Sequence, residues 1–289
     1  MIDPLLRQPW LPDGRIVRLP GRGETFARVH QHADPAAPTL LLLHGWTASA
    51  DLQFFTAYEA LAEHYSFVAI DHRGHGRGIR SPDHFTLEDA ADDAAALVRE
   101  LGITQVITVG YSMGGPISML LAYRHRALVS AMVVEATALE WRATRMERLR
   151  WKTVRLIGPV LRSWAYPAWV TIGIRRLLGS NHELMPYVPW LEAEMHRGHT
   201  LAIVHAGRAL GRYDARPWVA SLDVPAAALI TTRDRLVKPR KQHALARALG
   251  AVEVEVPGDH LVPWVSPGAF SDATLAAVDL VTDRSSSPV

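Results

Sequence analysis

The sequence contains no cysteine among its 289 residues. That absence excludes disulfide scaffolds, cysteine nucleophiles and metal sites that need thiolate ligands. Uncharged apolar runs of about 18 residues are also missing, which argues against a membrane-spanning helix, and no basic stretch followed by an apolar one marks a signal peptide at the N-terminus. The formal charge of +2 is too small to indicate a nucleic-acid partner. We therefore expect a globular, cytoplasmic protein.

Short apolar runs alternate with helical patterns along most of the chain. The runs are apolar throughout, which is typical of strands buried on both faces of a parallel sheet. They are Thr39–Leu43, Phe67–Ile70, Val106–Val109, Ala131–Val134, Ala226–Ile230 and Val252–Val256. The helical patterns are Leu52–His64, Leu87–Leu101, Met113–Arg124 and Pro239–Leu249. This order predicts an α/β fold with a mostly parallel sheet of about eight strands, helices on both faces and antiparallel edge strands near Thr25–His32.

The alternation stops after Thr137, and residues 140–217 contain no good strand pattern. Lys and Arg number 13 there against 6 Asp and Glu, and five of the nine Trp lie in this stretch. We predict a core made of residues 1–138 and 218–289, with residues 139–217 inserted as a helical cap.

The first part of the predicted cap, residues 145–164, has the pattern of a basic amphipathic helix. One side carries the apolar residues Met146, Leu149, Val154, Ile157, Val160, Leu161 and Trp164. The other side carries Arg145, Arg148, Lys152, Arg155 and Arg162, and Pro159 should kink or divide the helix. The pattern favours a lid with its apolar face on a pocket, and peripheral contact with an anionic membrane stays open as the alternative.

The sharpest local motif is Gly110-Tyr111-Ser112-Met113-Gly114, which lies between a predicted strand and a predicted helix. In that context the turn holds a serine in a strained conformation and exposes its hydroxyl, while Gly110 and Gly114 let strand and helix approach closely. The alternative is a helix-capping serine among packing glycines. We predict that Ser112 is a nucleophile.

A serine nucleophile needs a base, and the base needs an acid to orient it. His260 follows the last predicted strand, and Asp234 follows the strand before it. The carboxyl ends of parallel strands meet at one edge of a sheet, so we predict His260 as the base and Asp234 as the acid. Glu135, at the end of another strand, is the alternative acid.

The oxyanion of an acyl-transfer intermediate needs hydrogen-bond donors. The backbone N–H of Met113, the residue after the nucleophile, is the first candidate. The second is the backbone N–H of Trp46, in the loop Leu43-His44-Gly45-Trp46 after an inner strand. We also predict that the side chains of Trp46 and Tyr111 bind substrate.

Together these motifs resemble the α/β-hydrolase superfamily. The motifs are Leu43–Trp46, Asp71-His72-Arg73-Gly74-His75-Gly76, Gly110–Gly115, and then Asp234 and His260 in the family's chain order. The resemblance covers about residues 25–280 apart from the predicted cap. It implies a Ser–His–Asp triad, a two-amide oxyanion hole and no cofactor, with a structural role for the Asp71–Gly76 loop. The residues themselves give no support to metal catalysis, so we expect no metal.

Ser112 argues against two branches of that family, epoxide hydrolases and haloalkane dehalogenases, because both need a carboxylate at its position. The resemblance and the greasy predicted cap favour an esterase or lipase-like enzyme of lipid metabolism, acting on a small lipophilic ester. The same triad serves thioesterases, lactonases, C–C hydrolases and perhydrolases. A ligand-binding module without turnover is the alternative from another class. The sequence leaves the oligomeric state undecided.

Overall fold

A computed structural model describes residues 7–153 and 166–286 of the chain. Its centre is an eight-stranded sheet with the strand order β1-β2-β4-β3-β5-β6-β7-β8. The strands are β1 (Asp13–Leu19), β2 (Gly23–His30), β3 (Thr39–Leu43), β4 (Ser66–Ile70), β5 (Val106–Tyr111), β6 (Val129–Glu135), β7 (Ala226–Thr231) and β8 (Val252–Val256). The predicted α/β fold with a mostly parallel sheet is confirmed.

Strand burial follows position in the sheet. β1 and β2 pair antiparallel at one edge, and β3 to β8 run parallel to one another. The inner strands β5 and β7 are buried at every residue because helices cover both faces. The edge strand β8 reads Val-Glu-Val-Glu-Val, and both of its glutamates are exposed. Only one face of that strand meets the core.

Helices cover both faces of the sheet. The helices are α1 (Ala50–Phe54), α2 (Tyr58–Ala62), α3 (Leu87–Glu100), α4 (Gly114–Arg124), α5 (Arg145–Lys152), α6 (Tyr166–Leu178), α7 (Val188–Met195), α8 (Thr200–Arg212), α9 (Pro239–Leu249), α10 (Val262–Val265) and α11 (Pro267–Ser286). One apolar core lies between the sheet and α3, α4 and α9. A second core lies between the opposite face and α1, α2 and α11.

Helices α5 to α8 lie between β6 and β7, within the predicted cap, and we call them the insertion helices. They contact the loops that follow β3 and β4: the His199 N–H donates to the Gly74 carbonyl at 2.8 Å, and the Trp46 Nε1–H donates to the Ile203 carbonyl at 2.7 Å. They therefore stand over the carboxyl ends of the strands. In the described part of the chain, no helix combines the length and apolarity of a membrane span.

Two features of the core differ from the sequence prediction. The single helix predicted over residues 52–64 is two short helices, because a turn at Phe55–Ala57 lets Phe54, Phe55 and Tyr58 all reach the core. Helix α11 was not predicted, although its buried Phe270, Thr274, Ala277 and Val281 have helical spacing.

Candidate active site

Ser112 lies at the tight turn between β5 and α4. Its φ of 52° is in the left-handed region, which a residue with a side chain rarely adopts. A Cβ at Gly110 would overlap the Gly114 carbonyl, and a Cβ at Gly114 would overlap the Leu43 carbonyl. The turn can therefore close only because both positions are glycine.

The structure brings Ser112, His260 and Asp234 together, although 148 residues separate the first two. Ser112 Oγ lies 2.9 Å from His260 Nε2, and His260 Nδ1 lies 2.7 Å from Asp234 Oδ2. With the carboxylate accepting the Nδ1 proton, Nε2 is free to accept the Ser112 proton. The arrangement has the geometry of an activated serine nucleophile.

The Asp234 carboxylate is held by further hydrogen bonds. Its Oδ1 accepts the backbone N–H groups of Leu236 at 2.7 Å and Val237 at 2.8 Å. Its Oδ2 accepts the Thr231 hydroxyl at 3.0 Å and lies 3.4 Å from Gln242 Nε2. These bonds leave Oδ2 pointing at the imidazole. The sequence analysis missed Thr231 and Gln242, which carry no motif of their own.

Tyr111 contacts the predicted base directly. Its hydroxyl donates to the backbone carbonyl of His260 at 3.0 Å, and the two rings lie 5.5 Å apart. Burial raises the pKa of Tyr111 well above its ordinary value, so the hydroxyl keeps its proton and remains a donor. Tyr111 also lines the cavity described below, as the prediction of substrate contact requires.

The backbone amides of Trp46 and Met113 are both available beside Ser112. Within the described residues neither N–H donates a hydrogen bond. The loop that carries Trp46 packs against the nucleophile, since a Cβ at Gly45 would stand 3.3 Å from the Ser112 Cβ. Two such donors are what a developing oxyanion requires.

His44 braces this loop from behind. Its Nδ1 donates to the Gly45 carbonyl at 2.8 Å, and its Nε2 accepts the His72 N–H at 3.0 Å. The acceptor role of Nε2 requires the neutral ring, and burial lowers the pKa of His44 to about 4. The Asp71–Gly76 loop is thereby tied to the loop that carries Trp46.

The alternative acid, Glu135, lies elsewhere. Its Oε1 accepts the Thr274 hydroxyl at 2.8 Å, and no hydrogen bond within the described residues joins it to His260. Asp259 is exposed and accepts the backbone N–H of Leu261.

A cavity of about 770 Å³ opens above Ser112, between the core and the insertion helices. Four tryptophans line it, namely Trp46, Trp141, Trp151 and Trp264. Helix α6 adds Ile174 and Leu177. None of the described lining residues is Asp, Glu, Lys or Arg. The volume is in the range of small-molecule sites, and the walls favour an apolar ligand.

Helix α5 differs from the predicted lid in the direction of its apolar residues. Trp151 lines the cavity, but Met146 and Leu149 are 74% and 58% exposed. The predicted continuation, with Val154, Arg155, Ile157, Pro159, Val160, Leu161, Arg162 and Trp164, lies outside the described residues. Contact of this segment with an anionic membrane stays a prediction.

Comparison with known proteins decides the family. A model of the α/β-hydrolase fold matches residues 38–153. RutD of Serratia proteamaculans, which carries a provisional assignment as a carbamate hydrolase, is 30% identical over 221 residues. That match covers 74% of this chain and 80% of RutD. The chain belongs to the α/β-hydrolase family.

Solved α/β-hydrolase structures match nearly the whole chain. An esterase from Exiguobacterium antarcticum superimposes with a TM-score of 0.76 at 17% identity, over 92% of this chain and 100% of the esterase. An enol-lactonase from Burkholderia xenovorans gives 0.73 at 21% identity, over 93% of this chain and 100% of the lactonase. At these identities the similarity establishes the fold. The superfamily resemblance of the sequence is confirmed.

Proposed function

We propose that this α/β hydrolase cleaves carboxylic esters of uncharged, lipophilic substrates through an acyl-enzyme on Ser112. The observation that carries the proposal is the hydrogen-bonded series Ser112–His260–Asp234 on the wall of an apolar cavity without charged lining residues among those described. The nucleophile and the binding space meet at one point.

The proposed reaction has two halves. In the first, His260 Nε2 accepts the Ser112 proton as Oγ attacks the carbonyl carbon, and the oxyanion accepts hydrogen bonds from the amides of Trp46 and Met113. The intermediate collapses to the acyl-enzyme, and His260 returns its proton to the departing alcohol. In the second half, water attacks the acyl-enzyme as His260 accepts its proton. The proton then returns to Ser112 Oγ and the acid is released. Asp234 stabilises the imidazolium in both halves.

We further propose that residues 139–217 act as a cap that selects the substrate over a catalytic core of residues 1–138 and 218–289. The insertion helices supply much of the cavity wall, including Trp151, Ile174 and Leu177. Apolar walls of this kind stabilise an acyl chain by burying its methylene groups, at about 0.8 kcal/mol for each. This supports a lipophilic substrate.

The first experiment measures hydrolysis of p-nitrophenyl esters with acyl chains from two to sixteen carbons. Ser112→Ala should lower kcat about 10³-fold or more without changing the fold, because it removes the nucleophile. Ser180→Ala is the matched control, because Ser180 is an exposed residue in the turn that follows α6, and it should leave kcat unchanged. Activity retained in Ser112→Ala would contradict the mechanism.

Two further arms identify the acid and the bond. Asp234→Asn should lower kcat by about 10³- to 10⁴-fold, because the new amide mispositions the proton of the His260 imidazole. Glu135→Gln should lower kcat by much less. A parallel panel measures hydrolysis of thioesters, lactones and carbamates and the formation of peracids, which tests the other reactions that the same triad serves.

Labelling by a fluorophosphonate probe tests whether Ser112 is reactive at all. Failure to label Ser112 would favour a ligand-binding module.

A further inference from the structure

Gln53 is a buried polar side chain in the apolar wall of the cavity. It lies on α1, whose first turn is capped by the Ser49 hydroxyl accepting the Leu52 N–H at 3.2 Å. Only 8% of Gln53 is exposed, and the residue lines the cavity. Its neighbour Leu52, which also lines the cavity, is apolar and buried.

One end of the carboxamide points at the loop that carries Trp46. Gln53 Oε1 accepts the Gly45 N–H at 3.3 Å. A Cβ at Gly45 would stand 3.1 Å from this oxygen and 3.3 Å from the Ser112 Cβ. The carboxamide of Gln53 and the nucleophile therefore flank the same glycine.

The Gly45 contact uses only the oxygen of the carboxamide, and the Nε2 amino group donates to no atom within the described residues. Gln53 lines the cavity, so the two N–H groups of this amino group can donate to a ligand oxygen there.

We propose that Gln53 is a specificity residue, and that its Nε2 donates a hydrogen bond to an uncharged substrate oxygen other than the scissile carbonyl. This rests on the proposed ester hydrolysis. The preferred substrates then carry an ether, keto or hydroxyl oxygen a few bonds from the ester, on the acyl side or the alcohol side, within an otherwise hydrocarbon skeleton.

The test uses substrate pairs in which one methylene is replaced by oxygen. On the acyl side the pair is p-nitrophenyl heptanoate and p-nitrophenyl 3-propoxypropanoate. On the alcohol side it is pentyl hexanoate and 2-ethoxyethyl hexanoate, followed by titration of the released acid. The kcat/KM ratio within each pair is compared between wild type and Gln53→Met, so intrinsic differences in reactivity cancel.

In one of the two pairs, Gln53→Met should lower the ratio of oxygenated to hydrocarbon substrate by about 3- to 10-fold, the effect of one neutral hydrogen bond. The pair that responds identifies the side of the substrate. Thr47→Val, which removes a hydroxyl from the same cavity without changing its shape, is the control and should leave both ratios unchanged. If Gln53 only braces Gly45, both members of each pair will slow equally, which would overturn the proposal.

Binding separates this inference from the proposed function. Dissociation constants of the same pairs are measured by calorimetry with Ser112→Ala and with Ser112→Ala combined with Gln53→Met. A preference for the oxygenated member that disappears with Gln53, without Ser112-dependent hydrolysis in wild type, would overturn the ester hydrolysis and support Gln53. Ser112-dependent hydrolysis with unchanged ratios would overturn the role of Gln53 alone, and absence of both would overturn both.

Discussion

At the residue scale, Glu135 combines a backbone contact to the nucleophile with a buried carboxyl group. Its backbone carbonyl accepts the Ser112 N–H at 2.8 Å, and its side chain is fully buried. Thr274 satisfies Oε1, but Oε2 has no hydrogen-bond partner within the described residues. Burial raises the pKa of Glu135 from 4.5 to about 7, because the charged form loses its hydration.

Glu135→Gln should therefore change how stability depends on pH. As pH rises from about 4.5 to about 7, the unfolded chain releases the Glu135 proton while the folded chain retains it, so the wild type loses free energy of unfolding. Gln cannot ionise. Relative to wild type, the variant should gain on the order of 2–3 kcal/mol between pH 5 and pH 8. Urea unfolding at both pH values measures this, and an equal difference at both would contradict it.

At the element scale, an arginine connects the insertion helices to the core. The Arg77 guanidinium lies 2.6 Å from Asp51 and 3.4 Å from Asp71, both fully buried core residues, and 3.2 Å from Glu194 on α7. It also packs 3.8 Å from the centre of the Phe26 ring. A single side chain thus forms ion pairs with carboxylates of the core and of the insertion helices.

Arg77→Met should destabilise the protein by about 3–5 kcal/mol, because it leaves buried carboxylates without their shared partner. Arg28 still pairs with Asp51 at 2.8 Å, and Arg197 with Glu194 at 2.7 Å, so the loss is partial. Chemical unfolding measures it. Arg18→Met is the matched control: its pair with Glu24 is exposed and should contribute at most about 1 kcal/mol. Equal losses in the two variants would argue against a special role for Arg77.

At the scale of the whole molecule, charge is distributed unevenly. The chain carries 31 Lys and Arg and 29 Asp and Glu. Among the described residues that line the cavity, however, none is Asp, Glu, Lys or Arg. A carboxylate on the substrate would therefore lose its hydration without gaining an ionic partner. The cavity should discriminate by charge.

Hydrolysis of p-nitrophenyl hexanoate should exceed that of mono-p-nitrophenyl adipate, which adds a terminal carboxylate, by about 100-fold or more in kcat/KM. Leu177→Arg places a cation in the cavity wall and should narrow this ratio, whereas Leu177→Met should not. Comparable hydrolysis of the two esters by wild type would contradict the uncharged binding site.

The sequence by itself determined the strand order along the chain, the tight turn at Ser112 and the loops that carry Asp234 and His260. These depend on local signals: apolar runs of strand length, glycines where backbone segments touch, and polar residues directly after strands. Their catalytic roles and the separate cap stay predictions. Parallel strands bring their carboxyl ends to one edge of the sheet. Local patterns were therefore enough to predict that the three side chains lie close together.

Only the tertiary structure decided which side chains contact the loops and helices around Ser112, Asp234 and His260. The packing of α1, α9 and α7 against the rest of the molecule determines the contacts of Gln53, Gln242 and the Arg77–Glu194 pair. The break between α1 and α2, and the exposure of Met146 on α5, depend on what each helix meets. Such contacts join residues distant in the chain, and their geometry depends on side-chain packing that no local pattern specifies.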